Sequence, residues 1–186
     1  MSIVEIALDR LVNRLQIIEK KHRYLSLMAE YRISNERLVQ LELLRIISSM
    51  ENVADYLPER PYDFGRIGGK KCDIWFRTSD GTEYWIEIKL CPTNYKIKED
   101  SKIEHSKAIT YCINQVIDDI KRLKSGAPKN ARKYVLFIVY PLYPDSYAHF
   151  NNHLQKISSR CNVEIGSPTK RIQLNQRFYD IYLIEV

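Results

Sequence analysis

Lys70-Lys71-Cys72-Asp73-Ile74-Trp75-Phe76 and Tyr84-Trp85-Ile86-Glu87-Ile88-Lys89-Leu90 flank the turn sequence Ser79-Asp80-Gly81. Both flanks are short and rich in aromatic and β-branched residues, so with Asp-Gly between them they read as a β-hairpin. Gly81 supplies the left-handed residue of a three-residue turn. A hairpin centred on Asp80 sets Phe76 against Tyr84, Ile74 against Ile86 and Asp73 against Glu87. Alternate side chains of a strand share a face. The register therefore puts Asp73, Glu87 and Lys89 on one side, and Cys72, Ile74, Ile86 and Ile88 on the other.

Two carboxylates directly opposite each other, with Cβ atoms ~5 Å apart, repel and weaken a sheet. A shared cation is the usual remedy, and hard divalent ions such as Mg²⁺ take oxygen ligands while keeping waters for a phosphate substrate. Lys89 adds a positive donor on the same face. Ligands, a polarised water and a cation for developing charge are what metal-assisted phosphodiester cleavage requires. Asp73 followed by Glu87-Ile88-Lys89 on the next strand resembles the signature of the PD-(D/E)xK nucleases, the restriction-endonuclease-like superfamily, with Cys72 where the family name has proline. The resemblance implies that Asp73, Glu87 and the carbonyl of Ile88 ligate Mg²⁺, for which Mn²⁺ would substitute. It gives Lys89 the role of orienting the attacking water or stabilising the transition state. Without the resemblance, the same residues make an exposed hairpin, its two acids offset by a register slip and Lys89 in a surface ion pair.

The 186 residues suffice for one domain with a substantial core. A hydrophobic content of 45% and a charged content of 28% exclude a disordered chain. The net charge of +6 and pI near 9.1 favour a polyanionic partner, modestly. Cys72, Cys91, Cys112 and Cys161 have no metal-finger spacing and read as reduced, buried thiols of a cytoplasmic protein. Glu5 and Asp9 argue against a secretory signal, and no apolar run approaches the ~20 residues of a membrane span.

Towards the N-terminus, Val4, Leu8, Leu11, Leu15, Ile18 and Leu25 form a coiled-coil-like stripe with His22 in its polar seam position. Residues 1–33 are thus either a dimerisation arm giving a homodimer or a helix lying on its own domain. A helix from Ser34 or Asn35 to about Met50 carries Leu38, Leu41, Ile46 and Met50 on its apolar face, with Glu42 among them. A carboxylate there needs a positive partner. Glu42 either pairs with Arg45 or, as the superfamily implies for a glutamate of the helix before the sheet, reaches the active centre. Glu36, in the first turn, reads as a helix-dipole residue.

A strand near Ala54–Tyr62, with Pro58 and Pro61 suggesting an edge, precedes the loop Arg66-Ile67-Gly68-Gly69-Lys70-Lys71. That spacing is no P-loop. Arg66, Lys70 and Lys71 read as phosphate contacts or as a solvated loop, and Lys96, Lys98 and Lys102 beyond Leu90 admit the same two readings. A helix over about 103–124 buries Ile109, Ile113, Val116, Ile117, Ile120 and Leu123, with Gln115, Asp118 and Asp119 on the same stripe. Gln115 resembles the polar residue that some branches of the superfamily place in the active site. The continuous apolar run Tyr134–Tyr140 reads as a central strand buried on both faces. A helix over about 146–159 carries His149 and His153 without a metal motif, and Phe178–Val186 supplies a last strand.

These elements make an α/β chain, a mixed sheet flanked by helices. Residues 34–186 would be the nuclease domain, with the αβββαβ core of the restriction-endonuclease-like fold. The expected function is a Mg²⁺-dependent endonuclease acting on nucleic acid, DNA in the first instance. The competing class is a non-catalytic nucleic-acid-binding or protein-interaction module on the same fold.

Overall fold

A computed structural model describes residues 2–62, 69–103 and 108–186. Helix α1 (Ile3–His22) begins with a capping box: Ser2 Oγ accepts from the Glu5 amide, and Glu5 accepts from that of Ser2. It stops where Arg23 turns left-handed (φ 53°), and α2 (Tyr24–Tyr31) stops likewise at Arg32 (φ 50°). The expected stripe is therefore broken between Leu15 and Leu25. Its residues Val4, Leu8, Leu11 and Leu15 are buried in the core of this same chain. Of the two readings of this stripe, a dimerisation arm or a helix lying on its own domain, the packing observed is the second, with α1 beside α3 (Glu36–Ser48). Asn35 caps α3, its side chain accepting from the Leu38 amide at 3.3 Å.

The sheet holds β1 (Val53–Pro61), β2 (Lys71–Thr78), β3 (Glu83–Pro92), β4 (Arg132–Leu142), β5 (Lys170–Leu174) and β6 (Arg177–Glu185), in the order β1-β2-β3-β4-β6-β5. The β3–β4 pair is parallel, and the other neighbouring pairs are antiparallel. A short helix, α4 (Ile97–Asp100), follows β3. Helix α5 (Ile109–Gly126) makes the crossover that a parallel pair requires. Helix α6 (Tyr147–Cys161) packs beside α5.

Period-two alternation divides the strands between two cores. Ile74, Phe76, Ile86, Ile88, Leu136 and Ile138 meet α1, α2 and α3 on one face. Trp75, Trp85, Val135, Phe137 and Val139 meet α5 and α6 on the other. β4 is buried on both faces, as its unbroken apolar run requires. The hairpin has the register read from its turn: Phe76 pairs with Tyr84, their rings stacked at 4.5 Å, and Ile74 pairs with Ile86. Gly81 takes φ +85° in the turn.

Two expectations fail. Cys91 and Cys112 are joined in a disulfide rather than held as thiols, because β3 and α5 bring their Cα atoms to 5.6 Å, within bridging range. Cys72 packs with Tyr62 and Trp85 on the α5 face instead of beneath Ile74. Regular alternation does not pass through Asp73, whose side chain takes over a backbone hydrogen bond, as described next. Cys72 and Cys161 are free and buried. Among the described residues no helix is long and apolar enough to cross a membrane.

Candidate functional site

The β2–β3 ladder ends at the Ile74–Ile86 pair. One residue further, Asp73 Oδ2 accepts from the backbone N–H of Ile88 at 2.7 Å, so a side chain replaces a carbonyl in the ladder. Gln40, 5% exposed on α3, fixes this point by donating Nε2 to the Asp73 carbonyl at 2.7 Å, and its own Oε1 accepts from Arg37 at 2.8 Å. Asp73 is thereby held by α3 through its carbonyl and by β3 through its side chain.

Glu87, on the α5 face of β3, is only 2% exposed. Its Oε1 accepts from Tyr62 Oη at 2.5 Å and from Arg122 Nη1 at 2.9 Å. The second arm of the guanidinium, Arg122 Nη2, donates to Asp119 Oδ1 at 2.6 Å. Asp119 and Arg122 stand three apart on α5, so they share a helix face. Lys89, two residues beyond Glu87, sets its Nζ 3.1 Å from Glu36 Oε2 and 3.9 Å from Asp119 Oδ2. Glu36 also takes the Leu90 amide at 3.3 Å, which ties the N-terminus of α3 to β3. A chain of alternating charge runs Glu36, Lys89, Asp119, Arg122, Glu87, and ends at the Tyr62 hydroxyl.

Electrostatics follow from burial and crowding. Burial pushes Glu87 up to about 8, with the charges of Asp73 and Asp119 adding to it against the pull of Tyr62 and Arg122. Burial likewise carries Asp119 up to about 6, although Lys89 and Arg122 favour its ionised form. For Lys89, burial disfavours the ammonium, but Asp119 and Glu36 outweigh it and raise the amine above its ordinary value.

Of the residues anticipated, Asp73, Glu87 and Lys89 meet at this one site. Glu42 does not reach it. Its carboxylate faces α1 and pairs with Arg14 at 3.1 Å and Arg45 at 3.3 Å, and Glu36 is the helix carboxylate that touches Lys89. Gln115 is half-buried on α5 and donates to Tyr111 Oη at 3.4 Å. It borders a cleft of about 230 Å³ with Ser34, Glu36 and Leu90 rather than facing Glu87. Lys71 lies 3.6 Å from Glu59, and Lys96 lies 3.1 Å from Asp145. Lys70, Lys98 and Lys102 are exposed, and Arg66 falls outside the described residues, as do His105 and Lys107. Because β2 runs antiparallel to β3, Lys70 and Lys71 stand at the end of the sheet where β3 leads into the lysines of 96–102.

Tyr62, Glu36, Asp119 and Arg122 are the residues that sequence reading did not assign to the site. Asp119 carried the clearest signal, an acid within the buried stripe of α5. Compared with known protein families, characterised proteins and solved structures, the chain matches none.

The donor chemistry suits a hard divalent cation, since Asp73, Glu87 and Asp119 are carboxylates gathered from two strands and a helix. Asp119 Oδ2 is buried and has no hydrogen-bond partner. Four carboxylates (Glu36, Asp73, Glu87, Asp119) face two cations (Lys89, Arg122), so the fully ionised cluster carries two excess negative charges. Yet among the described residues no three ligating side chains converge on one point. The oxygens that would converge are turned towards Arg122, Tyr62 and the Ile88 amide.

Proposed function

We propose that this chain is a divalent-metal-dependent endonuclease of the restriction-endonuclease-like class, acting on DNA in the cytoplasm with Mg²⁺, and with Mn²⁺ as a substitute. What supports the reading is the cluster that joins buried Glu87 through Arg122 to Asp119, and Asp119 to Lys89 at 3.9 Å, with the charge of Asp73 acting on Glu87 and no hydrogen bond to Asp119 Oδ2. Asp73, Glu87 and the Ile88 carbonyl would hold the ion. When bound, a divalent ion supplies a water of lowered pKa and neutralises phosphate oxygens. Lys89 presents its ammonium to the phosphate as charge develops, and Glu36 keeps that ammonium aimed and protonated. Burial of Glu87 and Asp119 excludes bulk water from the charges they face. Lys70, Lys71, Lys96, Lys98 and Lys102 would meet backbone phosphates along the end of the sheet, giving salt-sensitive binding.

A second reading has an observation of its own. Arg122 already satisfies Glu87 and Asp119, as it would in a non-catalytic nucleic-acid-binding or protein-interaction module on this framework. The two readings separate when the protein is incubated with supercoiled plasmid, linear duplex and single-stranded RNA, in Mg²⁺, Mn²⁺ or chelator. Cleavage should require metal and fall about a hundredfold or more in Lys89→Ala and Asp73→Asn, as loss of a preorganised electrostatic group typically brings. Undiminished cleavage by both variants, or none by the wild type, rejects the nuclease.

A further inference from the structure

Arg122 stands where a cation bridging Glu87 and Asp119 belongs. Its two arms reach one oxygen of each carboxylate, at 2.9 and 2.6 Å. Both acids are almost wholly buried, whereas the arginine side chain keeps 19% of its surface open and so has a way out. Removing the guanidinium would leave Glu87 with the Tyr62 hydroxyl alone on Oε1 and leave Asp119 with neither oxygen hydrogen-bonded. When fully ionised, the cluster holds two more carboxylates than cations even with Arg122 and Lys89 in place. A guanidinium offers planar hydrogen bonds but cannot polarise a water as a divalent ion does.

From this geometry, and resting on the nuclease reading above, we infer that Arg122 is a resident counter-cation of the metal-free site that a divalent ion displaces from between Glu87 and Asp119. Asp119 then joins Asp73 and Glu87 as a metal-facing carboxylate, and Arg122 sets how tightly the site takes metal. Binding pays for the fraction of molecules in which the arginine is withdrawn, and a variant without it binds more tightly by that factor.

The test is a Mn²⁺ titration at fixed pH and ionic strength, followed by calorimetry and by loss of the free-ion electron paramagnetic resonance signal. It uses wild type, Arg122→Gln, Arg122→Lys, and Arg122→Gln combined with Asp119→Asn. Arg122→Gln should bind Mn²⁺ about tenfold more tightly than wild type. Arg122→Lys, whose single ammonium cannot span both carboxylates, should fall between them. Adding Asp119→Asn should cancel the gain. If Arg122→Gln does not fold, by circular dichroism and melting temperature, Arg122→Lys against wild type carries the comparison. Unchanged or weaker Mn²⁺ binding in the Arg122 variants, with wild type still binding, overturns this inference and leaves the nuclease standing. No binding by any of the proteins overturns both.

Discussion

Replacing Glu87 by glutamine removes the most perturbed carboxyl of the site at almost constant shape, and the structure sets the size of the effect. Burial and the charges of Asp73 and Asp119 raise its pKa from 4.5 to about 8. Between those two values the folded protein keeps a proton that the unfolded chain has released. With more protons bound in the folded state, stability falls as pH rises through this window and levels off above about 8. One pKa unit corresponds to about 1.36 kcal/mol, so the full span couples roughly 4 to 5 kcal/mol to that proton. Glutamine cannot titrate and can still accept from Tyr62. The unfolding free energy of wild type minus that of Glu87→Gln should therefore drop by this order between pH 5 and 8.5. The measurement is urea unfolding followed by circular dichroism at half-unit pH steps, without metal. A shift of this size moves the melting temperature by roughly 10 °C in a chain of this length. Parallel stability curves for the two proteins would refute the claim that Glu87 is buried among like charges.

Three further comparisons test the assignments around the sheet. Glu36→Gln, which releases Lys89, should lower cleavage about tenfold or more with little change in melting temperature. Glu42→Gln should leave cleavage intact and cost on the order of 1 kcal/mol, since it disturbs only the Arg14 and Arg45 pairs; the reverse pattern would restore Glu42 to the site. Reduction of Cys91–Cys112, which closes a loop of 21-residue separation, should cost about 3.3 kcal/mol on the loop-entropy scale. An identical melting temperature with and without dithiothreitol would mean that the pair is not bonded in solution, as a reducing cytoplasm would have it.

What could be read from the chain alone was what local spacing determines. The Asp80-Gly81 turn sets which residues face each other from Arg77–Glu83 to Ile74–Ile86, but the expected Asp73–Glu87 pair lies beyond the end of that ladder. The unbroken run Tyr134–Tyr140 identified the central strand. The choice between Glu36 and Glu42 was beyond reach, because it depends on how α3 is rotated over the sheet. Arg14, which claims Glu42, lies 28 residues away on α1. Tyr62 and Arg122 meet Glu87 across 25 and 35 residues, distances at which no periodicity speaks. The end of α1 was equally hidden, since a non-glycine residue gives little sign that it will adopt φ 53° as Arg23 does. Cys72 escapes the alternation rule because it precedes Asp73, whose side chain substitutes for the backbone in the ladder.

Strand β1 forms one rim of the sheet, with Tyr56 and Leu57 each 45% exposed. A long greasy rim of this kind ordinarily invites another polypeptide to zip onto it. Pro58 and Pro61 bring no amide donors to this strand, and Glu59 between them takes φ 54°. At the far rim, β5 runs for only five residues. Both margins of the sheet are thus poor templates for the addition of another strand.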